Sequence, residues 1–142
     1  MLRTAEDTAK DANRKPAEVL AFSKIMTGQT VFEMEAGAGY FTELLSRAVG
    51  PTGKVTMQAP KEFESFYKDP LAARLKDNRL ANVTPSWSMF DKLDAADGSV
   101  DVVTWFQGPH ELYCAKACGN AVCTRRSCAI TIPTTGRCCA RR

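Results

Sequence analysis

The chain has 142 residues, 44% of them apolar and 25% charged, with a net charge of +3. That is enough for one domain with a core, at a composition ordinary for a globular protein. The positive excess gathers at Arg125, Arg126, Arg137, Arg141 and Arg142, so no basic stripe interleaved with aromatics points to nucleic acid, and no apolar run approaches the roughly 20 residues that span a bilayer.

The first residues, Met1-Leu-Arg-Thr-Ala-Glu-Asp-Thr-Ala-Lys10, lack the apolar stretch of a secretory signal. Unless an upstream segment has been trimmed, the chain reads as cytoplasmic. Asn13 to Pro16 reads as a helix start, with Pro16 in the first turn. Val19, Leu20, Phe22 and Ile25 continue a loosely amphipathic helix that stops at Gly28.

Thr30 to Met34 is the first expected strand, and residues 40–49 form a helix ended by Gly50-Pro51. Lys54 to Gln58 is the second strand, closed by Pro60. A helix is expected over Lys61 to Lys68. Asp69-Pro70 should interrupt it, and Leu71 to Leu80 should resume it. Asn82 to Ser86 is a weak strand, and Pro85 suits it to a sheet edge. Asp91 to Gly98 is a polar connection. Ser99 to Phe106 is nearly continuous in apolar residues, which predicts a strand buried on both faces. Strands alternating with helices imply βαβ units and a parallel α/β sheet.

Composition shifts after Tyr113. All six cysteines, Cys114, Cys118, Cys123, Cys128, Cys138 and Cys139, follow it. A disulfide scaffold would staple the whole fold, and no Cys-x-x-Cys knuckle suggests zinc. Metal is therefore not expected. Residues 1–113 read as the ordered domain. Residues 114–142 read as a Cys/Arg-rich tail outside the core, with the composition of a shifted reading frame or a replaced terminus.

The sharpest local signal is Val31-Phe-Glu-Met-Glu-Ala-Gly-Ala-Gly-Tyr40 running into Phe41, Leu44, Leu45, Ala48 and Val49 on one helical face. Strand, glycine turn and helix bring backbone N–H groups towards a nucleotide-like ligand. The plain alternative is a tight turn that serves only packing.

Here the chain resembles the class I S-adenosylmethionine-dependent methyltransferases, and more narrowly a bacterial group of small predicted methyltransferases. The resemblance runs from about Asn13 to Tyr113. It rests on Arg14-Lys-Pro-Ala-Glu-Val-Leu20, Glu33 to Leu45, Gly50-Pro-Thr-Gly-Lys-Val55, Ser99-Val-Asp-Val-Val103 and His110-Glu-Leu-Tyr113. It implies a Rossmann-like sheet in the order third, second, first, fourth strand. It also implies S-adenosyl-L-methionine as cofactor, with methyl transfer to a nucleophile on a small-molecule acceptor.

Carried over by position, Glu33 organises the loop, and Glu35, Ala36, Gly37, Gly39 and Tyr40 line the cofactor. Gln58 stands where an acid usually holds the ribose, and Asp91 stands near the adenine amino group. Two departures stand out. Glu35 replaces the usual first glycine, where positive φ would strain it. Gln58 brings an amide without a charge. His110, the only histidine, follows the fourth strand and is the candidate catalytic proton acceptor; its alternative is a capping role.

Trp105, Phe106 and Gln107 fall at the substrate mouth or in the core, and Asp101 reads as structural. The later strands of the family pattern have no match in the tail. The fourth strand should therefore present an apolar edge and favour self-association. No nucleic-acid or membrane partner is expected. Two rival readings remain: an inactive, truncated cofactor-binding fragment, and a cysteine-tail metal module.

Overall fold

A computed structural model describes residues 3–109. Residues through Phe106 form one compact unit. It opens with two short helices, α1 (Ala5–Ala9) and α2 (Asp11–Arg14), followed by α3 (Pro16–Ser23). Strand β1 (Thr30–Met34) then leads through the glycine turn into α4 (Tyr40–Val49). After β2 (Lys54–Gln58) and a 3-10 turn come α5 (Glu64–Leu75), β3 (Val83–Ser86) and β4 (Val102–Trp105).

The four strands form a parallel sheet in the order β3-β2-β1-β4. This is the α/β, Rossmann-like order expected from the sequence, with Pro85 on an edge strand. Period-two alternation sends Val31, Val55, Val83 and Val102 to one face. There they pack with Phe41, Leu45 and Val49 of α4 and with Val19 and Leu20 of α3. Phe106 joins this core by stacking on Phe41, with ring centroids 4.1 Å apart.

Loops lock the strand ends. Asp101 accepts the Thr30 N–H on its carboxylate at 2.7 Å, and its own N–H donates to the Thr30 carbonyl at 2.9 Å. Its role is structural. Asn82 donates to the Ser46 and Gly50 carbonyls, satisfying the C-terminal end of α4. Gly53 is fixed by packing, because a Cβ there would stand 2.4 Å from the Val49 Cβ.

Two expectations need correction. Pro70 does not interrupt the helix: α5 continues through it from Glu64 to Leu75. Proline removes one backbone donor, but α5 is held from outside. Leu71 is buried, and Tyr67 and Arg74, one turn to either side on the same face, lie over Gly37 and Gly39. Nor is β4 buried on both faces. Val103 is 60% exposed, because it points away from the α3–α4 face, to the side where, among the described residues, the connection to β4 lines an open cavity.

Candidate functional site: the glycine turn at the sheet's carboxyl end

In open α/β sheets, ligands bind beyond the carboxyl ends of the strands, where the order reverses. Here that place lies beyond β1, flanked by β2 and β4. Glu33, next to last in β1, has its side chain on the helix-covered face, 2% exposed. Thr42, in the first turn of α4, donates its hydroxyl to the Glu33 carboxylate at 2.5 Å. Burial pushes the Glu33 carboxyl up to about 8, against the opposing pull of Thr42 and Arg74. Burial favours the protonated form of this acid, and its bond to Thr42 braces strand to helix.

The turn that follows contains three left-handed residues: Glu35 at φ 51°, Gly37 at φ 57° and Gly39 at φ 77°. Only Glu35 carries a side chain in this region, which is uncommon for a residue other than glycine. Its conformation is over-determined. The Glu35 N–H donates to Gln58 Oε1 at 2.9 Å, and its carboxylate accepts from Trp105 Nε1 at 2.9 Å. Ala36 N–H donates to the Gln58 carbonyl at 2.8 Å, and Gly39 N–H to the Ala36 carbonyl at 2.9 Å. The Gly37 and Ala38 N–H groups have no acceptor among the described residues. Consecutive donors in such a turn form a concavity suited to a negative or oxygen-rich group.

The N-terminal segment and α5 close the opposite side. Arg74 lies across the turn, donating through Nε to the Ala38 carbonyl at 2.7 Å. Its Nη1 donates to Asp7 at 2.8 Å and to Glu43 at 3.0 Å. Burial pushes Asp7 and Glu43 up, but their arginine partners outweigh it and hold both below the usual carboxylate range. Tyr40 turns away from the cleft: its hydroxyl donates to Asp11 at 2.5 Å, and its ring lies under the Arg3 and Arg14 guanidiniums.

Gln58 is fully buried and spends its amide on the backbone, donating through Nε2 to the Ser88 carbonyl at 2.6 Å. Asp91 is exposed and lines a cavity of about 450 Å³ with Phe32, Phe90, Leu93 and Val103. That cavity lies on the other sheet face, and the glycine turn does not line it. Phe90 in turn meets Trp105, with centroids 5.2 Å apart.

The structure thus brings Glu33, Glu35, Ala36, Gly37 and Gly39 together with Gln58 and sets Asp91 and Tyr40 apart. His110 and the cysteines lie outside the described residues, as does the expected boundary at Tyr113. Gln107 lies past the compact unit. Asp7, Asp11 and Arg74 join the site without a mark in the sequence. No periodic signal marks helices of four and five residues, and ion pairs across 67 residues leave no local trace.

A parallel sheet of order β3-β2-β1-β4 with a left-handed turn after β1 is a Rossmann-like arrangement. Comparison with solved structures narrows it to the fold of the SAM-dependent methyltransferases. The chain is similar to a SAM-dependent methyltransferase from Aquifex aeolicus at 25% identity and a TM-score of 0.64, covering 79% of this chain and 61% of that one. It also resembles a SAM-dependent O-methyltransferase from Thermotoga maritima at 22% identity and a TM-score of 0.54, covering 64% of this chain and 33% of that one. A third likeness is to a coclaurine N-methyltransferase bound to N-methylheliamine and SAH, at 18% identity and a TM-score of 0.56, covering 74% and 29%. The chain therefore spans less than two thirds of the length of these structures. No protein-family model matches it, and no curated protein does.

Proposed function

We propose that the cleft between the glycine turn and the ends of β2 and β4 binds S-adenosyl-L-methionine, and that the chain serves methyl transfer to a small-molecule acceptor. The observation that carries this reading is the turn itself. Gly37 and Ala38 present backbone donors beside the end of β1, and a Cβ on Gly37 would meet nothing closer than the Tyr67 ring at 3.9 Å. There is room for a polar ligand at a place the fold reserves for one.

When bound, the cofactor supplies an activated methyl group on a sulfonium centre. The chain's own residues bind and orient. Gly37 and Ala38 donate N–H groups, and Glu33, bonded to Thr42, fixes the strand-to-helix junction from below. Glu35 places a carboxylate at the β4 end, where Trp105 holds it. A carboxylate there favours a cationic neighbour over an anionic one. Orientation and exclusion of water are the protein's share of a transfer that needs no metal. His110 keeps the part the sequence suggested, taking a proton from the acceptor.

Self-association through the edge of β4 belongs to the same reading; the exposure of Val103 adds an apolar spot on the sheet face beside that edge. Sedimentation over a range of concentrations tests it. Among the described residues no helix is long and apolar enough to cross a membrane.

Isothermal titration with S-adenosylmethionine tests binding. Transfer of a radiolabelled methyl group to a panel of small acceptors then separates an enzyme from a non-catalytic binder.

A further inference from the structure

The Gln58 side chain sits between two backbone groups of opposite kind. The Glu35 N–H, on the turn after β1, needs an acceptor, and Oε1 supplies it at 2.9 Å. The Ser88 carbonyl, on the loop after β3, needs a donor, and Nε2 supplies it at 2.6 Å. Only a carboxamide or a protonated acid answers both at once; a carboxylate offers acceptors alone. The main chain adds to the tie. Ala36 N–H donates to the Gln58 carbonyl at 2.8 Å, and Ala59 N–H to the Ser86 carbonyl at 2.9 Å. The residue is 0% exposed, so burial closes off the second lone pair on Oε1 and the second N–H on Nε2 from a sugar hydroxyl.

We propose that Gln58 is a positioning residue that braces the glycine turn against the 86–88 loop across the end of β2, setting the width of the cleft, and that it does not read the ribose. This rests on the reading of the cleft as a cofactor site. It assigns a structural tie to the position where the resemblance places a ribose contact. It also explains how Glu35 is kept at φ 51°, since the amide accepts the N–H of that residue.

The discriminating substitution is Gln58→Glu, followed with pH in the full chain. Ionised, the introduced carboxylate would face the Ser88 carbonyl with no proton to give; protonated, it would restore the donor. Among the described residues, the ionisable side chains joined to the brace are Glu35, on the turn, and Asp94, which accepts from Ser86 at 2.8 Å. Both are present in wild type and variant, so the difference between the two isolates position 58.

Two readouts follow. Without ligand, the Glu35 and Ala36 amides of Gln58→Glu should exchange at least tenfold faster than wild type at pH 8. The excess should shrink on acidification. Gln58→Met, which lacks both bonds, should exchange faster at every pH and serves if the charged variant fails to fold. With S-adenosylhomocysteine, affinity of Gln58→Glu should fall at least tenfold at pH 8 and recover on acidification.

A ribose contact predicts the reverse, with tighter binding of the ionised variant at pH 8, and that result would overturn the proposal. So would amide exchange unchanged in both variants. If wild type binds no S-adenosylhomocysteine, the cofactor reading fails, while the exchange measurement still decides the brace.

Discussion

Arg74 lies across Gly39 so closely that a Cβ on residue 39 would stand 2.8 Å from Arg74 Cδ and 3.0 Å from its Nε. The arginine cannot simply swing aside, because its donors are engaged by the Ala38 carbonyl and by Asp7 and Glu43. Gly39 also sits at φ 77°. Two costs therefore fall on any side chain at this position.

Gly39→Ala should destabilise the chain by about 2–3 kcal/mol, from left-handed strain together with the displaced arginine. Urea unfolding measures it. A loss below about 0.5 kcal/mol would mean that neither the left-handed backbone nor Arg74 resists a side chain at this position. Larger residues at 39 report on this packing first, so they are poor probes of ligand binding.

Asp7→Ala should cost about 1–3 kcal/mol by removing a charged hydrogen-bond partner of Arg74. The sign with pH follows from the lowered carboxyl. A depressed acid stabilises above its ordinary range and loses that contribution as pH falls through its folded value. Wild type should therefore lose more stability than Asp7→Ala on acidification below pH 4. Parallel losses in the two proteins would show that the ion pair contributes nothing.

Glu33 has the opposite sign. The folded chain holds its proton up to about pH 8, while the unfolded chain releases it near the ordinary value of 4.5. Between those values the unfolded state binds one proton fewer, so stability falls as pH rises, by up to about 1.4 kcal/mol per pH unit. Glu33→Gln mimics the neutral acid and should flatten the profile between pH 5 and 8. A variant profile as steep as wild type would place the effect elsewhere.

Much of this fold is legible in the sequence because its signals are local. Val31 and Phe32 before a glycine turn, the apolar face of residues 41–49, and Pro85 at an edge each act within a few residues of themselves. What stays hidden acts at a distance. Pro70 predicts a break on local grounds and is overridden by the packing of Tyr67, Leu71 and Arg74. Val103 looks buried because its neighbours are apolar, yet burial depends on what covers the sheet. The importance of Glu35 is visible as a missing glycine, but its bond to Trp105 spans 70 residues. The amide of Gln58 reads as a weakened ribose contact until its backbone partners are seen.

Glu35→Gly should relieve about 1 kcal/mol of left-handed strain and forfeit a charge-assisted bond of about 1.5–3 kcal/mol. Strain relief alone would stabilise the chain and strengthen ligand binding. The loss of the Trp105 tie reverses that balance, so the variant should be less stable by roughly 0.5–2 kcal/mol. In a Trp87→Phe background, emission of Trp105 should shift as its indole N–H is released. A more stable variant with unchanged emission would show that the carboxylate does not hold the indole.

The central claim is that the glycine turn receives a ligand. Titration of the full chain with S-adenosylmethionine or S-adenosylhomocysteine, followed by amide exchange, tests this most directly. Saturable one-site binding is expected, with slowed exchange at the Gly37 and Ala38 amides. A folded chain that gives no binding heat, or that binds without changing exchange at those two residues, would contradict it.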